Sequence, residues 1–130
     1  MFGLVQGLWQ YVFAKQDAYV LVVGIQGSGK TTFIEQLKAL HRGERDFVPP
    51  QNIPSTVGLN TCKIETGPYR LTFWDLGGQS SLRSIWEKYI PDAHAMVFIV
   101  DSSSAENDLV EARQTLHTLL RDHPGMRKVL

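Results

Sequence analysis

The sequence predicts an α/β fold in which a mostly parallel sheet is flanked by helices. Two short apolar runs, AYVLVV (18–23) and AMVFIV (95–100), are rich in β-branched residues and too brief for helices, so they read as buried strands. Apolar residues recur at helical spacing after each run: Phe33, Ile34, Leu37 and Leu40, then Leu109, Ala112, Leu116 and Leu120. Strands alternating with amphipathic helices can bury both faces only as layers around a largely parallel sheet.

The elements follow in order. MFGLVQGLWQYVF opens the chain with apolar residues at mixed i+3 and i+4 spacing, broken by Gln6 and Gln10. It is too short for a bilayer span, which takes about 20 residues, and lacks the basic start and cleavage site of a signal peptide. Two readings stay open: a helix packed on the domain, or a helix lying in a membrane interface. This divides the chain into an N-terminal amphipathic helix, 1–16, and a domain, 17–130. A helix is expected from Lys30 to Arg42, closed by Gly43. ERDFVPPQNIPSTVG carries three prolines and no periodicity, and reads as a loop. Runs 59–66 and 69–75 flank Gly67-Pro68 as an antiparallel hairpin. After a helical stretch near 80–90, the strand 95–100 ends at Asp101. A capping box from Ser103 to Glu106 then starts a helix that His123-Pro124-Gly125 breaks. Lys128, Val129 and Leu130 open a further strand, so the expected sheet holds four strands and the start of a fifth.

Composition narrows function. Thirteen Lys and Arg balance thirteen Asp and Glu in 130 residues. With a pI near 6.9, no basic field points to nucleic acid or a polybasic membrane patch. One cysteine, Cys62, permits no internal disulfide and suits a reducing compartment. His41, His94, His117 and His123 form no ligand-like spacing. There is no internal repeat and no low-complexity tract.

GIQGSGKT (24–31) fits G-x-x-x-x-G-K-[ST] at every fixed position, between a buried strand and an amphipathic helix as the mechanism requires. The glycines Gly24, Gly27 and Gly29 let the backbone of Gly24, Ile25, Gln26, Gly27, Ser28 and Gly29 turn its N–H groups towards phosphate oxygens. The helix entered at Lys30, Thr31 and Thr32 adds the positive end of its dipole. Lys30 supplies a charge to the outer phosphates, and the Thr31 hydroxyl can ligate Mg²⁺. This is the phosphate loop of a P-loop NTPase.

WDLGGQ (74–79) closes the second hairpin strand. Asp75 can hold a metal-bound water beside Thr31. Gly78 can offer its N–H to a γ-phosphate because it has no side chain, and Gln79 can orient an attacking water. In PSTVG, Thr56 can complete the metal shell when a γ-phosphate draws its loop inward.

Together these stretches resemble a small GTPase of the ADP-ribosylation-factor (Arf and Arf-like) family. GIQGSGKTT is similar to its first loop, STVGLN to switch I, FWDLGGQSSLRSIWEKYI to switch II and IVDSSS to the fourth strand and turn. The resemblance covers the whole chain, and MFGLVQGL with SLRSIW is most similar to the Arf-related branch of the Golgi. It implies GTP/GDP and Mg²⁺ as cofactors, with Thr31 and Thr56 on the metal, Lys30 on the phosphates, Gly78 on the γ-phosphate and Gln79 catalytic. It further implies an exchange factor, a GTPase-activating protein, and effectors on a Leu59, Trp74 and Tyr89 surface. Residues 2–13, behind an acetylated N-terminus, would dock on Golgi membranes or a membrane-protein receptor, peripheral on the cytoplasmic side. Gln26 stands where most Arf-like proteins have Asp, and Leu59 where many have Phe. No N-K-x-D loop for guanine occurs before Leu130, so a truncated chain is expected, one that binds GTP and ATP alike. The alternatives are a non-hydrolysing interaction module and a P-loop kinase or ATPase, the latter lacking lid arginines. Arg83 reads as a solvated switch-helix residue.

Overall fold

The computed structural model describes residues 2–44 and 49–129. Its elements are helix α1 (Phe2–Phe13), strand β1 (Gln16–Val23), helix α2 (Lys30–His41), strands β2 (Leu59–Thr66) and β3 (Tyr69–Leu76), a short helix α3 (Trp86–Tyr89), strand β4 (Ala95–Phe98) and helix α4 (Glu106–Asp122). Among the described residues the sheet has four strands in the order β2-β3-β1-β4. β1 runs parallel to both neighbours, and only the β2–β3 hairpin is antiparallel. The predicted architecture holds.

Alternation along β1 explains the layers. Leu21 and Val23 face one way, into a core of Leu76, Trp86, Ile90 and Leu119. Val22 faces the other way, with Ile34, Cys62, Ile64 and Phe73. α2 therefore covers one face of the sheet, while α3 and α4 cover the other. Ile34 and Ala39 seat α2, whereas Leu40 points to solvent. The helix closes as expected: Gly43 N–H bonds the Leu40 carbonyl at 3.1 Å and Glu44 N–H the Ala39 carbonyl at 2.9 Å, a Schellman motif. Residues 45–48 of the proline-rich loop lie outside the described residues.

Two expectations change. The capping box is absent: Ser103 donates its hydroxyl and its N–H to Asp101 Oδ1, at 2.6 and 2.9 Å, and α4 starts from Ala105 with no side-chain cap. The Asp101 turn consumes the serine before the helix can use it. Lys128 and Val129 do not open a strand, because residues Pro124–Val129 form 3₁₀ turns. So short a run offers few ladder bonds, while the Met126 N–H finds the His123 carbonyl locally at 3.0 Å. Leu130 lies outside the described residues. Of the two readings open for the N-terminal helix α1, the structure does not show the one in which it packs on the domain. None of its residues is buried, and Phe2 is 92% exposed.

The parallel register converges three strand ends. Val22 pairs with Asp75 and Val23 with Phe98, so the loops leaving β1, β3 and β4 meet at one edge of the sheet. Ligands in open α/β sheets bind at that carboxyl edge.

Candidate functional site

At this edge lies a cavity of about 540 Å³ lined by 26–32, 53–56, Gly78, Gln79 and 100–102. Gly29 caps α2 with φ +97°, a left-handed conformation that a side chain would strain. It hands the chain directly into the helix whose free N–H groups face the cavity. Lys30 is only 5% exposed. Its Nζ donates to the Ile25 carbonyl at 2.9 Å and reaches Ser28 Oγ at a long 3.5 Å, so the ammonium bridges the loop it follows. Burial pulls its pKa below the ordinary lysine value, the Asp75 charge opposes this, and Arg83 adds to it. A buried cation with few partners suits an anionic ligand.

The three oxygens beneath the loop form one cluster. Thr31 donates to Asp75 Oδ2 at 2.6 Å, and the Thr31 and Thr56 hydroxyl oxygens lie 2.5 Å apart. Thr31 has one proton and gives it to the carboxylate, so Thr56 is the donor between the hydroxyls. Asp75 is fully buried and its Oδ1 has no hydrogen-bond partner. Burial raises its pKa, opposed first by the Thr31 hydroxyl and then by the Lys30 charge. Asn60, across the ladder from Asp75, also opposes the rise without meeting Oδ1 in bonding geometry. Two hydroxyls and a carboxylate with a free lone pair make an all-oxygen donor set, which fits Mg²⁺ bound together with phosphate. Among the described residues no group of three or more His, Cys, Asp or Glu offers another metal site.

Gly78 sits on the phosphate loop. A Cβ there would lie 2.5 Å from the Gly24 carbonyl oxygen and 2.6 Å from the Gln26 nitrogen. Only glycine lets these two loops touch. Gln79 follows at the cavity wall.

The structure thus gathers Gln26, Gly27, Ser28, Gly29, Lys30, Thr31, Thr32, Thr56, Gly78 and Gln79 around one cavity. Gly24, Ile25 and Asp75 are buried behind its wall. Trp74 and Tyr89 stand apart from it. Their rings meet edge-on at 5.1 Å, and Tyr19 stacks on Trp74 at 4.8 Å. Leu59, 39% exposed, lies outside that packed cluster. Sequence reasoning missed Ile53, Pro54, Ser55, Val100, Asp101 and Ser102 as cavity wall. Their signal was positional: Asp101 lies three residues past the end of β4, whose C-terminal end sits beside that of β1 and so beside the phosphate loop.

A phosphate loop after β1, an oxygen cluster below it, and a glycine pressed on it from the end of β3 define a small P-loop GTPase fold. The chain matches the ADP-ribosylation factor (Arf) family over residues 4–130, and it belongs to that family. It is 38% identical over 120 residues to human ADP-ribosylation factor-related protein 1, covering 92% of this chain and 59% of that one. Against ADP-ribosylation factor-like protein 3 of Saccharomyces cerevisiae it is 41% identical over 123 residues, 94% of this chain and 61% of the other. The chain therefore spans about three-fifths of the length of these relatives. Among solved structures it resembles the Arl6 BBS3 small GTPase of Trypanosoma brucei, which carries the nucleotide analogue GppNp. The TM-score is 0.64 at 32% identity, over 81% of this chain and 55% of that one.

Proposed function

We propose that this chain is a GTP/GDP switch of the Arf type that works with Mg²⁺. The observation that carries the reading is the Thr31–Thr56–Asp75 oxygen cluster at the N-terminus of α2, beside the buried Lys30. Mg²⁺, when bound, would neutralise phosphate charge, held by Thr31 and Thr56, with Asp75 backing them. Lys30 and the backbone N–H groups of 24–29 bind the phosphates. The Gly78 N–H meets the third phosphate, and the Gln79 amide orients the attacking water. Triphosphate and diphosphate would differ at Gly78 and Thr56, the two contacts offered from outside the phosphate loop and α2. Such a difference turns occupancy into surface shape for effectors near Leu59, Trp74 and Tyr89. An exchange factor and a GTPase-activating protein would reset the switch.

We further propose that α1 is the membrane contact, at Golgi membranes or a membrane-protein receptor there, with 17–130 as the switch domain. Support comes from its exposed apolar side chains, Phe2, Leu4, Val5, Leu8, Trp9, Val12 and Phe13 among them. Among the described residues no helix is long and apolar enough to cross a membrane. An interfacial helix needs no such length. Gln79→Leu tests the hydrolytic role. GTP affinity should stay near that of the parent while hydrolysis stimulated by an activating protein falls; equal stimulated rates would remove Gln79 from the mechanism.

A further inference from the structure

Arg83 is not a solvated residue. It lies in the 3₁₀ turn Ser80–Ile85 and its side chain is 21% exposed. Nε donates to the Gly78 carbonyl at 3.1 Å, Nη1 to Thr115 Oγ1 at 3.2 Å, and Nη2 to Glu111 Oε1. Glu111 and Thr115 stand one turn apart on α4. Thr115 gives its own proton to the Glu111 carbonyl at 2.8 Å, which leaves its lone pairs free for Arg83. The guanidinium also lies 6.0 Å from the Trp86 ring centroid.

Trp86 itself donates through Nε1 to the Gly77 carbonyl at 3.1 Å. Two successive carbonyls, Gly77 and Gly78, are thus held by two side chains of the segment that follows. In a planar trans peptide the carbonyl and the next N–H point in opposite directions. Trp86 therefore fixes where the Gly78 N–H points, and Arg83 fixes where the Gln79 N–H points. An exposed ion pair alone would stabilise little. Here a rigid five-donor fork joins the pair to the backbone of the site.

We infer that Arg83, anchored on Glu111 and Thr115, is a positioning residue that holds the Gly78–Gln79 peptide against the phosphate loop and couples α4 to the discrimination of nucleoside triphosphate from diphosphate. This rests on the reading of Gly78 and Gln79 given above. The strap has a second consequence. Whatever pulls Glu111 away from Arg83 loosens the Gly78–Gln79 peptide, so a partner gripping α4 would reach the site without touching nucleotide.

The test uses Arg83→Ala, Glu111→Ala and the charge swap Arg83→Glu with Glu111→Arg. Affinities for Mg²⁺ complexes of GDP and of GTPγS are measured alongside amide order parameters of Gly78 and Gln79 without nucleotide. Each single variant should weaken GTPγS about tenfold, the loss of one charge-assisted bond, with GDP affinity within about twofold of the parent. The order parameters should fall in both. The charge swap restores the ion pair but gives Gly78 no donor, so it should not rescue either readout. Rescue by the swap, or equal losses for GDP and GTPγS, would reduce Arg83 to a structural ion pair. Unchanged order parameters in both single variants would overturn the strap whether or not nucleotide binds. A parent chain that fails to bind GTPγS while the order parameters fall would leave the strap standing and refute the nucleotide reading.

Discussion

Gly78→Ala is the sharpest perturbation the site allows. The added methyl would lie 2.5 Å from the Gly24 carbonyl oxygen, 2.6 Å from the Gln26 nitrogen and 2.6 Å from the Ile25 carbonyl carbon. All three are backbone atoms of the phosphate loop, so no side chain can swing aside. Ordinary contact begins near 3.4 Å, and the Gly77–Gln79 segment must retreat by about 0.9 Å. Overpacking of this kind costs about 1–3 kcal/mol where the structure is rigid. The same retreat takes the Gly78 N–H out of bonding range of a third phosphate, a charge-assisted bond worth about 1.5–3 kcal/mol. GTP affinity should therefore fall about 10- to 100-fold. GDP lacks the third phosphate, so its affinity should hardly change. Titration calorimetry with GDP and GTPγS reads the ratio directly. An unchanged ratio, with an unchanged melting temperature, would refute the close approach of the two loops.

Other expectations follow from charge and exposure. Burial lowers the Lys30 pKa, so its contribution to stability is present above the unfolded value of 10.5 and is lost as pH falls through the lowered folded value. Lys30→Met should then raise the melting temperature of the nucleotide-free protein at pH 7, by about 1.4 kcal/mol of stability per pKa unit of depression, and the gain should shrink as pH approaches 10.5. Thermal unfolding across that range checks the sign; a gain that grows with pH would contradict it. Helix α1 carries no charged side chain. Its association with neutral phospholipid vesicles should survive high salt and disappear in Leu8→Glu with Trp9→Glu, read as the loss of a blue shift in tryptophan emission. Salt-sensitive binding would point to another surface.

Much of this fold was legible because its signals are local. The strand expected at 95–100, which the structure ends at Phe98, the helix closing at Gly43 and the hairpin around Gly67-Pro68 each follow from side-chain period or a turn residue. The site was legible for a different reason: the phosphate loop and WDLGGQ fix spacings that the parallel register of β1 and β3 turns into proximity. Competing local bonds defeated the rest. Ser103 could cap α4 or serve Asp101, and spacing alone does not rank a carboxylate turn against a helix N–H. A run such as Lys128-Val129 is compatible with both strand and 3₁₀ turn. Arg83 was misread because its partners, Glu111 and Thr115, lie 28 and 32 residues away, beyond any periodic signal. The neutrality of α1 was visible in the sequence, but its lack of any buried residue was not.

The central claim is that 24–31, with Thr56, Asp75 and Gly78, forms a cradle for nucleotide phosphates and Mg²⁺. It is tested most directly by titrating the chain and Lys30→Ala with GMP, GDP and GTP, each with and without Mg²⁺. Affinity should rise with each added phosphate, strengthen for GTP when Mg²⁺ is present, and be lost in Lys30→Ala. Equal affinity for GMP and GTP, or GTP binding that survives Lys30→Ala, would contradict it.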